Sequence, residues 1–366
     1  MKKIFIVTGE LSGDKVAAWY VAKQYQERDQ LHIEGVGGDF LAATGVALYQ
    51  RFEKLNVVGI VEIIKHLPRL LTFLNELVDY IDKHHFDEVI LVDFPGFNLR
   101  LARMLKRRNK NLKITYLSPP QLWCWGAWRI KSLQKFCDDL VVLYPFEVAW
   151  YQQRGLNVRW IGSPVYDYMQ PYFSAAEQKQ PMIAVMFGSR ISEIKTFTPI
   201  IGSVVQRLLQ QYSELRFMVP MAASLPDGYV QQQVRDAGFG DILGHLMFVR
   251  DEHEKLTLLS QCCAALTKPG TVTLELALLK VPSVVFFKTS WLTYRIAKFF
   301  ATIQSMALPN LLLNKQLFKE FIQSDCTVDA LSYELLRLYK NVANTQEQES
   351  FQKDCNVLRL MLGKKV

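Results

Sequence analysis

The chain has 366 residues, half of them hydrophobic, with 43 Lys and Arg against 35 Asp and Glu and a formal net charge of +8. That length predicts two domains of roughly 150 residues each, and the composition excludes a disordered scaffold. The charge leaves nucleic acid, anionic membrane surfaces and phosphorylated small molecules open as acidic partners.

The opening stretch MKKIFIVTGE has too short an apolar run for a signal peptide and predicts a buried strand over 4–7. Further strands are expected at Ile33–Val36, Glu88–Val92, Lys113–Leu117, Leu140–Leu143 and Val158–Ile161. Several are almost continuously apolar, the mark of parallel strands covered on both faces. Between them, apolar residues at 70, 71, 74, 77, 78 and 81 recur at helical spacing. The run RMLKRRNKN at 103–111 reads as the solvated face of a helix. With no zinc finger, RNP strand or recognition helix beside it, no nucleic-acid partner is expected.

The alternation stops at Gly162-Ser163-Pro164 and resumes with strands at Ile183–Phe187, Arg216–Val219, Met247–Val249, Ala264–Thr267 and Ser283–Phe287. The expected boundaries are 1–165 for an N-terminal domain, 180–343 for a C-terminal domain and 344–366 for a closing helix that returns to the first. The fold class is α/β, two doubly wound Rossmann-like domains whose ligands lie outside the carboxyl ends of the strands. Six cysteines without a CxxC pair and six histidines without HExxH spacing predict reduced thiols and no structural metal. No stretch reaches the ~18 apolar residues of a spanning helix, so a cytoplasmic protein is expected.

Five strand-end loops carry candidate chemistry. In TGELSGDK, Gly9 and Gly13 let backbone N–H groups approach a ligand. GVGGD at 35–39 turns the chain, near a ligand or as an ordinary tight turn. VDFPGFN at 92–98 ends an apolar strand on Asp93. That carboxylate is either a helix cap or solvated loop residue, or a general base whose pKa is raised by partial burial. MFGSRISEI at 186–194 runs a strand into Gly188, Ser189 and Arg190 at a helix start. Free N–H groups, the helix dipole and a guanidinium fork there suit a diphosphate; the alternative is a serine cap followed by a surface arginine. TKPGTVTLE places Gly270 and Thr271 at another helix start, with Thr273 and Glu275 one turn in. Thr271 and Glu275 share a face, where a carboxylate can accept both ribose hydroxyls. The last two loops together predict a nucleotide-diphosphate site.

The segments GELSGD, GVGG, VVGIVEII, DFPGFN, SPPQLWCWGAWRI, PFE, GSP, GSRISEI, GTVTLE and LPNLL occur in this order from the first strand to about Gln323. Together they resemble the lipid-A-disaccharide synthases, glycosyltransferases of family 19 with GT-B architecture, in which two Rossmann-like domains face a central cleft. The resemblance implies transfer of 2,3-diacylglucosamine from its UDP conjugate to the 6-hydroxyl of 2,3-diacylglucosamine 1-phosphate, giving a β-1′,6-linked disaccharide and UDP. It implies Asp93 as the base, Arg190 on the donor diphosphate with Gly188 and Ser189, and Glu275 on the uridine ribose. It places Glu10, Ser12, Gly13 and Asp14 on the acceptor side and Asn98 and Asn310 in the cleft. No cofactor or metal is implied, UDP being a product and part of the donor. Two other readings stay open: another UDP-sugar enzyme of this architecture, a GlcNAc transferase or epimerase, and a silent nucleotide-binding relative. An epimerase would carry more cleft carboxylates and histidines, and a silent relative would have lost Asp93 or Arg190.

The chain departs from the family pattern at Gly96, at Met186-Phe187, at Ser163 and at Pro269, which removes an N–H and a hydroxyl from the proposed phosphate loop. Trp123, Trp125 and Trp128 are open to two readings, interdomain core or sugar platform. The stretch NVVGIVEIIKHLPRLLTFL at 56–74 suits an amphipathic segment in a membrane interface, with Val58, Ile60 and Ile64 buried among lipid and Lys65 and Arg69 on anionic head groups; a buried helix pair is the alternative. SWLTYRIAKFFATI at 290–303 offers Trp291, Tyr294, Arg295 and Lys298 for the same surface. The expected location is therefore the cytoplasm, peripherally on the inner face of the cytoplasmic membrane, with a homodimer left open.

Overall fold

Strands that are apolar on both faces need cover on both, and the chain supplies it by following almost every strand with a helix. The computed structural model describes residues 1–25, 30–52, 60–174, 179–223, 225–291, 294–295, 305–340 and 345–363. It divides into two units, the first covering 1–164 and the second running from 165 to the last described residue, 363.

The first unit runs β1 (Lys2–Val7), α1 (Leu11–Gln24), β2 (Leu31–Gly37), α2 (Asp39–Ala43), β3 (Ala47–Arg51), α3 (Ile60–Lys83), β4 (Glu88–Val92), α4 (Pro95–Arg108), β5 (Lys113–Leu117), α5 (Ile130–Phe136), β6 (Asp139–Val142), α6 (Pro145–Gln152) and β7 (Arg159–Trp160). Its strands form one parallel sheet in the order β3-β2-β1-β4-β5-β6-β7. Successive residues of the central strands go to opposite faces. Phe5, Val7, Val89 and Leu91 join a core with Leu74 and Leu77 of α3 and Leu101 and Leu105 of α4. Ile4, Ile6, Ile90 and Val92 join another with Ala17, Tyr20 and Val21 of α1.

The second unit takes in all but the first residue of α7 (Pro164–Met169) and continues with β8 (Gln180–Val185), α8 (Ile191–Gln211), β9 (Arg216–Pro220), α9 (Tyr229–Asp236), β10 (Leu246–Val249), α10 (Glu252–Gln261), β11 (Cys262–Thr267), α11 (Thr271–Leu278), β12 (Ser283–Phe287), α12 (Leu308–Leu313), β13 (Lys319–Ile322), α13 (Val328–Lys340) and α14 (Thr345–Gly363). The sheet is again parallel, in the order β10-β9-β8-β11-β12-β13. Ile183, Val185, Phe217, Leu266 and Phe286 pack under Ile201 and Val205 of α8 and Leu331 and Leu335 of α13.

Two strands lie outside the sequence expectation, β3 and β13, and both are sheet edges. An edge strand is covered less fully, so ALYQR and KEFI carry no continuous apolar run to betray them. The closing helix is a second correction. It packs on α11 and α12 and groups with the second unit, where the sequence reading sends it to the first. Arg359 fixes it there, donating to the Leu278 carbonyl with its guanidinium 3.7 Å from the centre of the Phe173 ring.

β2 pairs with β1 so closely at Gly35 that a Cβ there would lie 2.3 Å from the Ile6 carbonyl oxygen. Gly35→Ala is therefore expected to lower stability by about 1–3 kcal/mol through forced separation of two central strands. A denaturant melt of the variant that matches the parent would refute that close approach.

Candidate functional site

In each sheet the chain builds outward in one direction, returns to the middle and builds the other way, so the loops after the two innermost strands diverge and leave a crevice at their carboxyl ends. In the first unit those strands are β1 and β4, paired at Val7 and Leu91. Glu10 follows the first and Asp93 the second. Phe94 lies over Gly9 so tightly that a Cβ at Gly9 would sit 2.4 Å from the ring, which couples the two loops directly.

Asp93 (φ 48°) and Phe94 (φ 46°) are both left-handed, a conformation that costs a non-glycine residue energy and must be held from outside. Three groups hold it. The Asp93 N–H donates to the Leu117 carbonyl at 3.1 Å. The Asp93 carbonyl accepts from the Tyr116 hydroxyl at 2.7 Å and from Asn98 Nδ2 at 2.8 Å. Tyr116 and Asn98 are fully buried, and Asn98 Oδ1 has no hydrogen-bond partner. The backbone is thereby fixed while the carboxyl group stays half-buried at the strand end. Burial, the charge of Glu10 and a hydrogen bond with its side chain push the Asp93 pKa up to about 7, against a smaller opposing contribution from the Phe94 N–H. Ser12 Oγ donates to Glu10 Oε1 at 3.1 Å, so Glu10, Ser12 and Asp93 meet at one strand end.

Two other residues of the same loop are buried. Asp14 is fully buried, and its carboxylate accepts from the N–H groups of Gly38 (2.7 Å) and Phe40 (3.0 Å), tying α1 to the GVGG loop. Gly13 is buried in the first turn of α1. The tryptophans divide. Trp123 is buried and donates Nε1 to Glu147 Oε1 at 2.9 Å. Glu147, at the start of α6, also accepts from the N–H groups of Leu143 and Tyr144, and burial raises its pKa to about 7. Trp125 and Trp128 are 44% and 58% exposed, meet edge to face, and both carry the Arg129 guanidinium over their rings at 5.4 and 6.0 Å.

In the second unit the innermost strands are β8 and β11, paired at Val185 and Leu266. Gly188 (φ 120°) turns the chain after β8 and Arg190 caps α8. Gly270 (φ 141°) turns it after β11 into α11. The two loops therefore lie at adjacent strand ends. Ser189 and Arg190 are exposed, as is Thr271, and Glu275 is half-buried one turn into α11. Sequence reasoning missed two groups here. Glu193 Oε2 accepts from the Ser189 N–H at 3.0 Å, and its Oε1 lies 3.0 Å from Lys268 Nζ and 3.9 Å from Arg190 Nη1. Charged residues bordering both glycine turns were the available signal. Tyr168 and Glu252, hydrogen-bonded at 2.7 Å, are also near enough to Glu275 for its charge to help raise the Tyr168 pKa, after burial and the Glu252 bond.

Thr273 and Asn310 are both buried and hydrogen-bonded within the second unit. Thr273 is buried, its hydroxyl donating to the Gly270 carbonyl at 2.8 Å and accepting from the Leu308 N–H at 3.3 Å. Asn310 bonds the backbone of Leu317 and Phe318 and the Glu320 carboxylate with both ends of its amide. Both brace the loops through these bonds. Of the departures, Met186 and Phe187 are buried, Phe187 in the core with Ile194 and Phe197, which makes that change one of packing. Gly96 is exposed with open space around it.

Of the interfacial segment, Val58 lies outside the described residues, as do Lys298 and the side chains of Ile60, Ile64 and Lys65. Arg69 is exposed, and Trp291, 70% exposed, carries Arg295 over its ring at 5.1 Å. Among the described residues no helix is long and apolar enough to cross a membrane.

Removing the Glu10 charge should ease ionisation of Asp93. In Glu10→Gln the Asp93 carboxyl, followed by carbon-13 NMR, is expected to titrate below the parent midpoint near pH 7. An unmoved midpoint would leave burial as the sole cause.

The family model described as Lipid-A-disaccharide synthetase matches residues 4–363. The chain is 30% identical to the lipid-A-disaccharide synthase of Geobacter sulfurreducens over 94% of its own length and 90% of the relative's. It is 32% identical to lipid-A-disaccharide synthase 1 of Legionella pneumophila (strain Lens) over 99% and 97%. Among solved structures it resembles UDP-GlcNAc 2-epimerase of Methanocaldococcus jannaschii in complex with UDP-GlcNAc and UDP (TM-score 0.59, 10% identity, 99% of this chain and 100% of that one). It also resembles MurG of Acinetobacter baumannii (TM-score 0.53, 13% identity, 100% of each). At such identities the likeness shows the fold alone, the two-domain GT-B architecture. With the ordered motifs, the paired Rossmann-like sheets and a family match that runs nearly from end to end, the chain belongs to the lipid-A-disaccharide synthetase family.

Proposed function

We propose that the chain makes the lipid A disaccharide by direct displacement, with Asp93 as the base that ionises the acceptor. The donor is UDP-2,3-diacylglucosamine and the acceptor 2,3-diacylglucosamine 1-phosphate. Asp93 takes the proton of the acceptor 6-hydroxyl, the oxygen bonds the donor's anomeric carbon, and the bond from that carbon to the UDP oxygen breaks with inversion. The observation that carries this reading is a carboxylate at the β1/β4 strand end with its pKa pushed up to about 7 on a backbone locked by Tyr116 and Asn98. A group so placed is basic enough to accept a proton and ionised enough at neutral pH to be ready for it. Glu10 and Ser12 line the acceptor side. In the second unit Arg190 meets the charge that develops on the departing diphosphate, and Glu275 with Thr271 takes the uridine ribose. No step is assigned to a metal.

The acceptor and donor carry acyl chains, and a peripheral position on the inner face of the membrane follows from that chemistry. Arg69 and the Trp291–Arg295 pair support it, exposed aromatic and basic groups being what an anionic interface attracts.

Asp93→Asn is expected to keep the fold and to lower disaccharide formation, followed by mass spectrometry, roughly a hundredfold or more. Parent turnover should rise with pH through about 7, since only ionised Asp93 accepts the proton, and the Asn variant should lose that limb. Near-normal turnover in a folded Asn variant would remove Asp93 from the mechanism.

For the membrane, sedimentation with anionic phosphatidylglycerol vesicles should carry the parent into the pellet at low salt and release it at high salt. Making Val58, Ile60 and Ile64 polar should weaken that binding while UDP affinity survives. A parent that stays in the supernatant, or a triple variant that unfolds, would end the interfacial reading.

A further inference from the structure

The phosphate loop read from the sequence rests on backbone N–H groups, and the structure leaves fewer of them than the pattern suggests. Pro269 has none, and the Ser189 N–H donates to Glu193 Oε2 at 3.0 Å. What the two strand ends hold in addition is a pair of cations on one carboxylate. Arg190 follows β8 and Lys268 follows β11, neighbouring strands joined also by the Met186 N–H to the Leu266 carbonyl at 3.0 Å. Both approach the same Glu193 oxygen, Lys268 Nζ at 3.0 Å and Arg190 Nη1 at 3.9 Å. Sharing one oxygen keeps the ammonium and the guanidinium close enough to address the two phosphates of a diphosphate together.

The side chains of Glu193 and Lys268 are only 18% and 21% exposed, whereas that of Arg190 is 53% exposed. Burial alone would raise the Glu193 carboxyl, but Lys268, the Ser189 N–H and Arg190 hold it below its ordinary value. With Glu193 ionised the triad keeps one net positive charge, enough to draw an anion.

We infer that Lys268 is a second ligand of the donor diphosphate, held beside Arg190 through Glu193 and standing in for the backbone donor that Pro269 lacks. This rests on the donor reading of the second unit. Lys268 is a point charge with three donors, suited to phosphate oxygens without the fixed geometry of the guanidinium. It neutralises charge on the leaving group as the anomeric bond breaks, and serves the chemistry as well as the binding.

The test uses the full chain, with UDP binding by calorimetry and uridine binding by saturation-transfer NMR, in the parent, Lys268→Met, Lys268→Arg and Arg190→Ala. Lys268→Met is expected to weaken UDP about 10- to 100-fold, the range for a lost hydrogen bond to a charged group, and to flatten the salt dependence of UDP binding. It should leave uridine unchanged, and Lys268→Arg should recover most of the UDP affinity. If Lys268→Met binds UDP like the parent while Arg190→Ala does not, the inference fails and the donor site stands. If UDP and uridine weaken equally in Lys268→Met, the lysine only braces the loops and the inference fails as well. If neither variant alters UDP affinity, the donor reading falls and takes the inference with it.

Discussion

The parallel hydrogen-bond ladders between β1 and β4 and between β8 and β11 are the constraint on which the candidate site depends. Each joins two strands whose following loops run to opposite sides, and each leaves the carboxyl ends of those strands uncovered by the chain's own connections. Glu10 and Asp93 stand at the first such point, and Arg190 and Lys268 at the second. The amino ends of the strands are used differently. Buried Glu88 at the start of β4 is closed by Lys2, Lys113 and the Thr115 hydroxyl, and Asp139 at the start of β6 by Arg159. Charges at the amino ends of the first sheet's strands are paired, and at the carboxyl ends the Asp93 carboxyl is held at a raised pKa.

That affinity is a packing effect. Asp93 is pushed up chiefly by burial and then by Glu10, and its backbone is left-handed where most residues would relax. Such a conformation persists only where surrounding groups over-determine it. Tyr116 comes from the adjacent strand and Asn98 from the helix that Asp93 introduces, so the sheet and the helix each hold the same carbonyl. The hydrogen bonds that fix the strained turn are made by its backbone, while the side chain meets Glu10 and the Phe94 N–H.

Several polar residues that accompany the glycine turns have the opposite role. Asp14, Thr273 and Asn310 are buried and bonded mainly to backbone groups, and their value is to hold loops in place. Polar residues near a strand end can thus be structural or chemical, and those buried and bonded inside the fold help to position the others.

The inner strands, the glycine turns and the place of Asp93 and Arg190 were legible in the sequence, because a strand covered on both faces must be apolar throughout and a reversal after it must use permissive residues. The ordered motifs identified the family for the same reason, as they sit at those reversals. The edge strands β3 and β13 were not legible, since a strand bonded on one side needs no such run. Nor was the docking of the last helix, which its amphipathic face allows in more than one place. Tyr116 lies 23 residues from Asp93 and Lys268 lies 75 from Glu193. No local pattern joins residues so far apart. Only the register of neighbouring strands brings them within hydrogen-bond reach, and that register is decided by tertiary packing.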